Sequence, residues 1–308
     1  MPRIGIRVAV VSPERKNAVV SPEDHVAEHR AAGGMVDVSG VRTFVREEGE
    51  GEPVLCLHGV PASSFLYRKV LPDLAARGLR GIAYDLPGLG LTARDSGVGP
   101  TWSDLGRHAV DVVNALELER FHLVVHDVGG PVGMELATHL DDRVASLTVL
   151  NTMVAVSTFA KPWTMRPFEV PGLGWLWLKG MVDPAFVRSM HDVGIADRSA
   201  TSREEVLAYR RLLLHDDGGA AFLRIMRSFE TTPAKEALYR DVVGSDRYPV
   251  QAVWGERDPA LRLDEHARPV RELVGEDNFH RVPGKHFLQE DCHEAIADHV
   301  AQIAARAA

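Results

Sequence analysis

The chain has 308 residues, 45% hydrophobic and 25% charged, a globular composition with enough length for one large α/β domain or two smaller ones. Its net charge of −8 and pI near 6.0 speak against nucleic acid or an anionic membrane as a partner, since both require concentrated Lys and Arg. Only two cysteines occur, Cys56 in an apolar run and Cys292 in an acidic stretch, so neither a disulfide framework nor a four-ligand zinc site is expected, and no metal or cofactor is implied.

From the N-terminus, residues 1–34 carry scattered charges, with "SPERK", "SPED" and "AAGG" and no sustained periodicity, and are expected to form a flexible or loosely docked leader. Within it, "IGIRVAVV" is too short and too interrupted by Arg7 for a signal-peptide core. No apolar run anywhere approaches the roughly 20 residues of a membrane span, which gives a cytoplasmic location by default. The domain proper is expected to start at Met35, where "MVDVSGVRTFVRE" offers two short β pieces around a Ser-Gly turn. "PVLCLHG" follows as a continuous apolar run of the kind buried in a parallel sheet, and "LRGIAYDLPG", "FHLVVHD" and "VASLTVLN" repeat it. Helical stretches, "SSFLYRKVLPDLAARG" and "LGRHAVDVVNALELE", lie between them, so a mostly parallel sheet with right-handed crossovers is predicted.

After Asn151 the texture changes. Residues 152–240 show no clear buried strand and are rich in Trp, Phe, Met and helix formers, which predicts an inserted helical cap. "YPVQAVWGERD" and "FHRVPGKHF" restore the strand pattern, and residues 293–307 read as a terminal helix. The expected organisation is a leader over 1–34, an α/β core over 35–151 and 241–308, and a cap over 152–240.

In open parallel sheets ligands bind beyond the carboxyl ends of the strands. Asp127 ends one predicted strand, with Gly129 and Gly130 permitting a sharp strand-to-helix turn, and Asp258 and His286 follow two others. Singly, each has a plainer reading: Asp127 as a helix N-cap, Asp258 before Pro259 as a turn residue, His286 as a structural histidine. Together they give a carboxylate nucleophile, a second carboxylate and a histidine base in the chain order of a Ser-Asp-His triad. The loop "HGVPASSFLYR" supplies the remaining part, because the N–H groups of Val60 and Val128 can face developing negative charge. His58 in that loop is expected to be structural.

With "HGVP" followed by "SSFLYRKVLPDLAARG", "YDLPGLGLTARD", "HDVGG" and "HFLQED", the chain from about Met35 onward resembles the haloalkane dehalogenase and epoxide hydrolase branch of the α/β-hydrolases. The resemblance implies the α/β-hydrolase fold with an inserted helical cap, Asp127 as nucleophile, His286 as base and Asp258 as the acid that orients it. The residue type agrees with that chemistry. Attack of a carboxylate on an acyl carbonyl would give a reactive anhydride, whereas displacement at an alkyl carbon gives an ester that His286-activated water can hydrolyse.

The leaving group is less sharply marked. Dehalogenases usually carry Trp directly after the nucleophile, and often Asn or Glu in the "HG-x-P" loop; here these positions are Val128 and Val60. A cap tryptophan, Trp175 or Trp177, is the alternative halide donor. Epoxide hydrolases use cap tyrosines, but Tyr209 and Tyr239 do not fall where that pair is expected, and Arg227 and Phe229 lie near one such position. The expected activity is dehalogenase-like on a small hydrophobic substrate with water, with an epoxide hydrolase as the alternative and a non-catalytic ligand receptor of the same fold as the second. Trp163, Phe168, Trp175, Trp177, Met181, Tyr209, Phe222 and Met226 are candidates for an apolar pocket, and the protein is expected to be a monomer or a small homo-oligomer.

Overall fold

The computed structural model describes residues 20–163 and 165–307. Eight strands form one sheet: β1 (Gly33–Val38), β2 (Val41–Glu48), β3 (Glu52–Leu57), β4 (Leu79–Tyr84), β5 (Phe121–Asp127), β6 (Val144–Thr152), β7 (Val250–Gly255) and β8 (Phe279–Val282). Their spatial order is β1-β2-β4-β3-β5-β6-β7-β8, with β1–β2 and β2–β4 antiparallel and every other pair parallel. The β1–β2 hairpin closes on Ser39 and Gly40, both at positive φ (51° and 85°), the backbone of a two-residue turn whose twist matches the strands.

The core helices are α1 (Pro22–Ala31), α2 (Val70–Ala76), α3 (Trp102–Ala115) and α4 (Gly129–His139). Between β6 and β7 the chain makes α5 (Leu173–Gly180), α6 (Asp183–Ser189), α7 (Arg203–Leu213), α8 (Ala220–Arg227) and α9 (Pro233–Val243), with no strand among the described residues. It then returns through α10 (Ala267–Val274) and ends on α11 (His293–Ala307). Strands β5 and β6 are buried at every residue, so their continuous apolar runs reflect helices covering both faces of the sheet. Among the described residues, no helix is long and apolar enough to cross a membrane.

The expected leader needs correction over residues 20–34; residues 1–19 lie outside the described part. Ser21 and Asp24 form a capping box, Pro22 occupies the first turn of α1, and β1 begins at Gly33. The helix is tied down by single contacts and has no broad apolar stripe, which is why periodicity missed it. Buried His29 packs against the rings of Phe44 and Phe65 and shares a 3.1 Å hydrogen bond with Ser64, while Glu23 pairs with Arg211 of α7 at 2.7 Å.

Candidate active site

Asp127 is the last residue of β5 and sits at φ +51°, a left-handed conformation that a non-glycine residue adopts only under constraint. The constraint comes from its neighbours. A Cβ on Gly59 would collide with the Asp127 carboxylate, and one on Gly130 with the Thr152 side chain, whose hydroxyl donates a 2.5 Å hydrogen bond to the Asp127 carbonyl. Two glycines thus let the strand break sharply into α4 and lift the carboxylate above the sheet. Its Oδ1 accepts a 2.7 Å hydrogen bond from the N–H of Val60, and the N–H of Val128 also donates to the carboxylate.

His286, in the loop after β8, approaches from the other side. Its Nε2 stands 3.4 Å from Asp127 Oδ2, and its Nδ1 stands 2.8 Å from Asp258 Oδ2. Asp258 is itself anchored: Oδ1 accepts from the N–H groups of Ala260 (2.7 Å) and Leu261 (3.0 Å), and Oδ2 accepts from Asn151 Nδ2 (2.7 Å). The structure therefore brings together Asp127, Asp258, His286 and the amides of Val60 and Val128, residues spread over more than half of the chain.

Burial works against charge on all three side chains, and their mutual proximity outweighs it. Asp127 and Asp258 are held below the ordinary carboxylate range by His286. For His286, burial disfavours the imidazolium, but the two carboxylates lift it to about 10. His126, its ring tilted against that of His286 with centroids 5.0 Å apart, is pushed down to about 4 by burial and by His286. As a neutral ring its Nε2–H donates to the His286 carbonyl at 2.8 Å, fixing the backbone that carries the candidate base. His58 braces the loop that carries Val60, donating from Nδ1 to the Gly59 carbonyl and accepting the Leu86 N–H on Nε2.

Above Asp127 opens a cavity of about 530 Å³ with walls from the Val60–Pro61 loop, the His286 loop and the helices between β6 and β7. Its wall is almost wholly apolar, a surface suited to a small hydrophobic molecule. A sequence model for the alpha/beta hydrolase fold matches residues 52–291, three-quarters of the chain and every residue of this site.

The chain is an α/β-hydrolase.

Relatives of this α/β-hydrolase include haloalkane dehalogenase 2 of Mycobacterium tuberculosis, 29% identical over 266 residues covering 85% of this chain and 91% of the relative. Among solved structures, Cfl2 from Burkholderia cenocepacia superposes with a TM-score of 0.73 at 24% identity, covering 88% of this chain and 94% of the other. Epoxide hydrolase VrEH1 from Vigna radiata gives 0.70 at 21%, covering 89% and 97%. The two structural likenesses establish the shared fold.

The α/β-hydrolase's cavity sorts the aromatic and aliphatic residues singled out from sequence. Phe168, Trp177, Met181, Phe222 and Met226 line it, and Phe229 does too. Trp163, Trp175 and Tyr209 do not. Trp163 is 74% exposed on a loop, and Trp175, half-exposed on α5, carries the Lys179 ammonium over its ring at 4.8 Å. A helix puts residues 175 and 177 roughly 200° apart, so only one of the two tryptophans can face the cavity. Tyr209 is buried on the inner face of α7 with its hydroxyl on Glu290. Tyr239 likewise donates its hydroxyl to Glu135 at 2.8 Å. The Val128 side chain is fully buried and is not on the cavity wall, so its amide alone serves the site.

Three residues escaped the sequence reading. Asn151, the penultimate residue of β6, grips Asp258, while its Oδ1 accepts the Gly255 N–H at 2.9 Å. The signal was present, a polar residue next to the carboxyl end of an apolar strand. Lys161 and Ser189 reach the cavity wall and, with Trp177 and His286, are its side-chain hydrogen-bond donors among the described residues. No local pattern marked them, because their position depends on how the helices cover the sheet.

Proposed function

We propose that this α/β-hydrolase breaks a carbon–heteroatom bond in a small hydrophobic substrate through a covalent ester on Asp127, in the manner of a haloalkane dehalogenase. The observation that carries this reading is the carboxylate itself. One oxygen of Asp127 is held by the Val60 amide at 2.7 Å, and the other stands 3.4 Å from His286 on the floor of an apolar cavity. In the first step an Asp127 oxygen attacks the alkyl carbon; a C–O bond forms as the C–X bond breaks, and X departs as an anion with the bonding pair. In the second, His286 takes a proton from water as the water oxygen attacks the ester carbonyl. The amides of Val60 and Val128 face the resulting oxyanion, the tetrahedral centre collapses, the alcohol leaves, and Asp127 is regenerated with one oxygen from water.

A halide is the leaving group this reading favours, since the similar curated proteins are named haloalkane dehalogenases. Epoxide opening follows the same steps with a ring oxygen as leaving group, but no tyrosine lines the cavity, so Lys161, Trp177 or Ser189 would have to serve it. A purely ligand-binding protein would have no use for Asp258 and His286 at 2.8 Å behind the carboxylate. The test is chemical trapping with a bromoalkane and an epoxide. His286→Gln is expected to react once and stall, giving an added alkyl mass on the peptide containing Asp127, while Asp127→Asn acquires none. An adduct on Ser63 or Ser64, or parental turnover by His286→Gln, refutes the mechanism.

A further inference from the structure

Among the described residues, nine large apolar side chains are conspicuously exposed, and seven of them fall within residues 163–182. A soluble surface scatters such residues; a cluster marks a place where something apolar is met. Helix α5 is its centre. Its sequence, Leu-Gly-Trp-Leu-Trp-Leu-Lys-Gly, is apolar around nearly its whole circumference, yet only Gly174 and Leu178 are buried. Leu176 is 60% exposed, and Trp163 on the neighbouring loop is 74% exposed.

The charges around this patch have one sign left over. Lys161 is matched by Glu169 at 2.7 Å, and Asp183 by Arg210 and Arg211 at 3.1 Å. Arg166, Lys179 and Arg227 are exposed, and none is among the ion pairs of the described residues. Three uncompensated cations thus surround an apolar face on a protein whose net charge is −8. The patch also runs into the cavity, since Leu173, Leu176 and Trp177 are at once exposed and part of the cavity wall.

We propose that this face, centred on α5 and Trp163, docks the protein peripherally on a lipid surface carrying anionic headgroups. Trp and Leu side chains there enter the headgroup–acyl boundary, where an amphipathic ring is best accommodated, and Arg166, Lys179 and Arg227 meet the lipid phosphates. A second copy of the chain is a poorer occupant. A symmetric pairing through this face would gather two sets of the same three cations into one interface. The overall charge spoke against such a partner in the sequence, and it is the local arrangement that reverses the expectation. The mouth of the cavity would then open toward the lipid, so that a hydrophobic substrate dissolved there reaches Asp127 without crossing water.

Vesicle flotation of the full chain tests this, using phosphatidylcholine vesicles with and without phosphatidylglycerol. The protein is expected to float with the anionic vesicles and to be released by salt. Lys179→Gln and Arg166→Gln should each weaken binding about fivefold. Trp163→Ser combined with Trp175→Ser should weaken it by about tenfold or more, with turnover of a water-soluble substrate unchanged because neither side chain lines the cavity. Failure of the full chain to float with anionic vesicles at low salt overturns the proposal, as does parental binding by the double variant. Self-association that the double variant abolishes, without vesicle binding, would assign the face to a second copy instead. Because the readout is binding, none of these results bears on the chemistry proposed for Asp127.

Discussion

His286 stands between two carboxylates, 3.4 Å from Asp127 and 2.8 Å from Asp258, and the resting site is therefore an imidazolium flanked by two anions. Burial opposes that charge, but the carboxylates raise the imidazole to about 10 from an ordinary 6.5. Such a group is a poor base until something lowers it. In the proposed mechanism, esterification of Asp127 would do so by turning one of the two anions into a neutral acyl group, so that the first chemical step prepares the base for the second.

The two steps should accordingly differ in their response to pH. Alkylation should be flat between about pH 6 and 9, because Asp127 remains ionised throughout. Ester hydrolysis should rise with pH through a single ionisation lying below that of the resting site, as His286 loses its proton with only Asp258 beside it. Rapid-quench kinetics with a bromoalkane separate the burst from the steady state. A burst rate that followed the same ionisation as the steady state would contradict the division of labour.

Asn151 is the residue through which Asp258 keeps its place. Asn151→Ala removes a 2.7 Å hydrogen bond to a buried carboxylate and leaves the Gly255 N–H without its acceptor. A hydrogen bond to a charged group contributes about 1.5–3 kcal/mol, so hydrolysis of the ester should slow about 10- to 150-fold. The substrate constant should move little, because Asn151 does not touch the cavity. As a positioning residue it should also change the pH profile, since a wandering Asp258 supports the imidazolium less well. An unchanged profile with full activity would reduce Asn151 to a strand-end bond.

Much of this site was legible because sheet physics placed it. Continuous apolar runs marked the strands, and Asp127 and His286 stood out as charged residues ending or following them. What escaped lacked periodicity. Helix α1 is held largely through His29 and Glu23, two side chains with no repeating stripe to announce them. Trp163 and Trp175 look in sequence like the side chains that line an apolar pocket, and composition cannot tell the inner from the outer face of a short helix that is apolar all round. Asn151 could have been found by applying to β6 the rule already applied to β5.

The two valines beside Asp127 should respond oppositely to polar replacement. Val60 lines the cavity, so Val60→Asn places an amide N–H where a leaving anion develops. A gain of about 1.5–3 kcal/mol corresponds to roughly 10- to 150-fold faster bromide release. Val128 is fully buried away from the wall, so Val128→Trp adds volume to a packed core and costs about 1–3 kcal/mol or more without providing a donor. Bromide release and thermal melting of both variants decide it. Faster release by Val128→Trp at parental stability would mean that the turn after Asp127 can open toward the cavity.

Glu290 shows how the loop carrying His286 is secured, and it gives the sharpest stability prediction. The carboxylate is fully buried, paired with Arg68 at 2.5 Å and Lys69 at 2.9 Å, and accepts hydrogen bonds from Thr201 and Tyr209. It thereby joins the core, helix α7 and the His286 loop at one point. Burial alone would raise its pKa, but the two cations and the tyrosine outweigh burial and lower it to about 2 from an ordinary 4.5. A carboxylate depressed in the folded state stabilises the fold above its unfolded pKa. That contribution should therefore be whole above about pH 4.5 and be lost progressively as pH falls toward about 2. Glu290→Gln should be destabilising at neutral pH, by at most about 3–5 kcal/mol, because Lys69 loses its anion and Arg68 keeps only Glu205, at 2.8 Å. It should also flatten the acid limb, since the group responsible for the proton uptake is gone. Urea unfolding from neutral pH down to about pH 3 measures both effects. If Glu290→Gln kept the parental stability and the parental acid limb, the Arg68–Glu290 pair would not be what holds α7 and the His286 loop to the sheet.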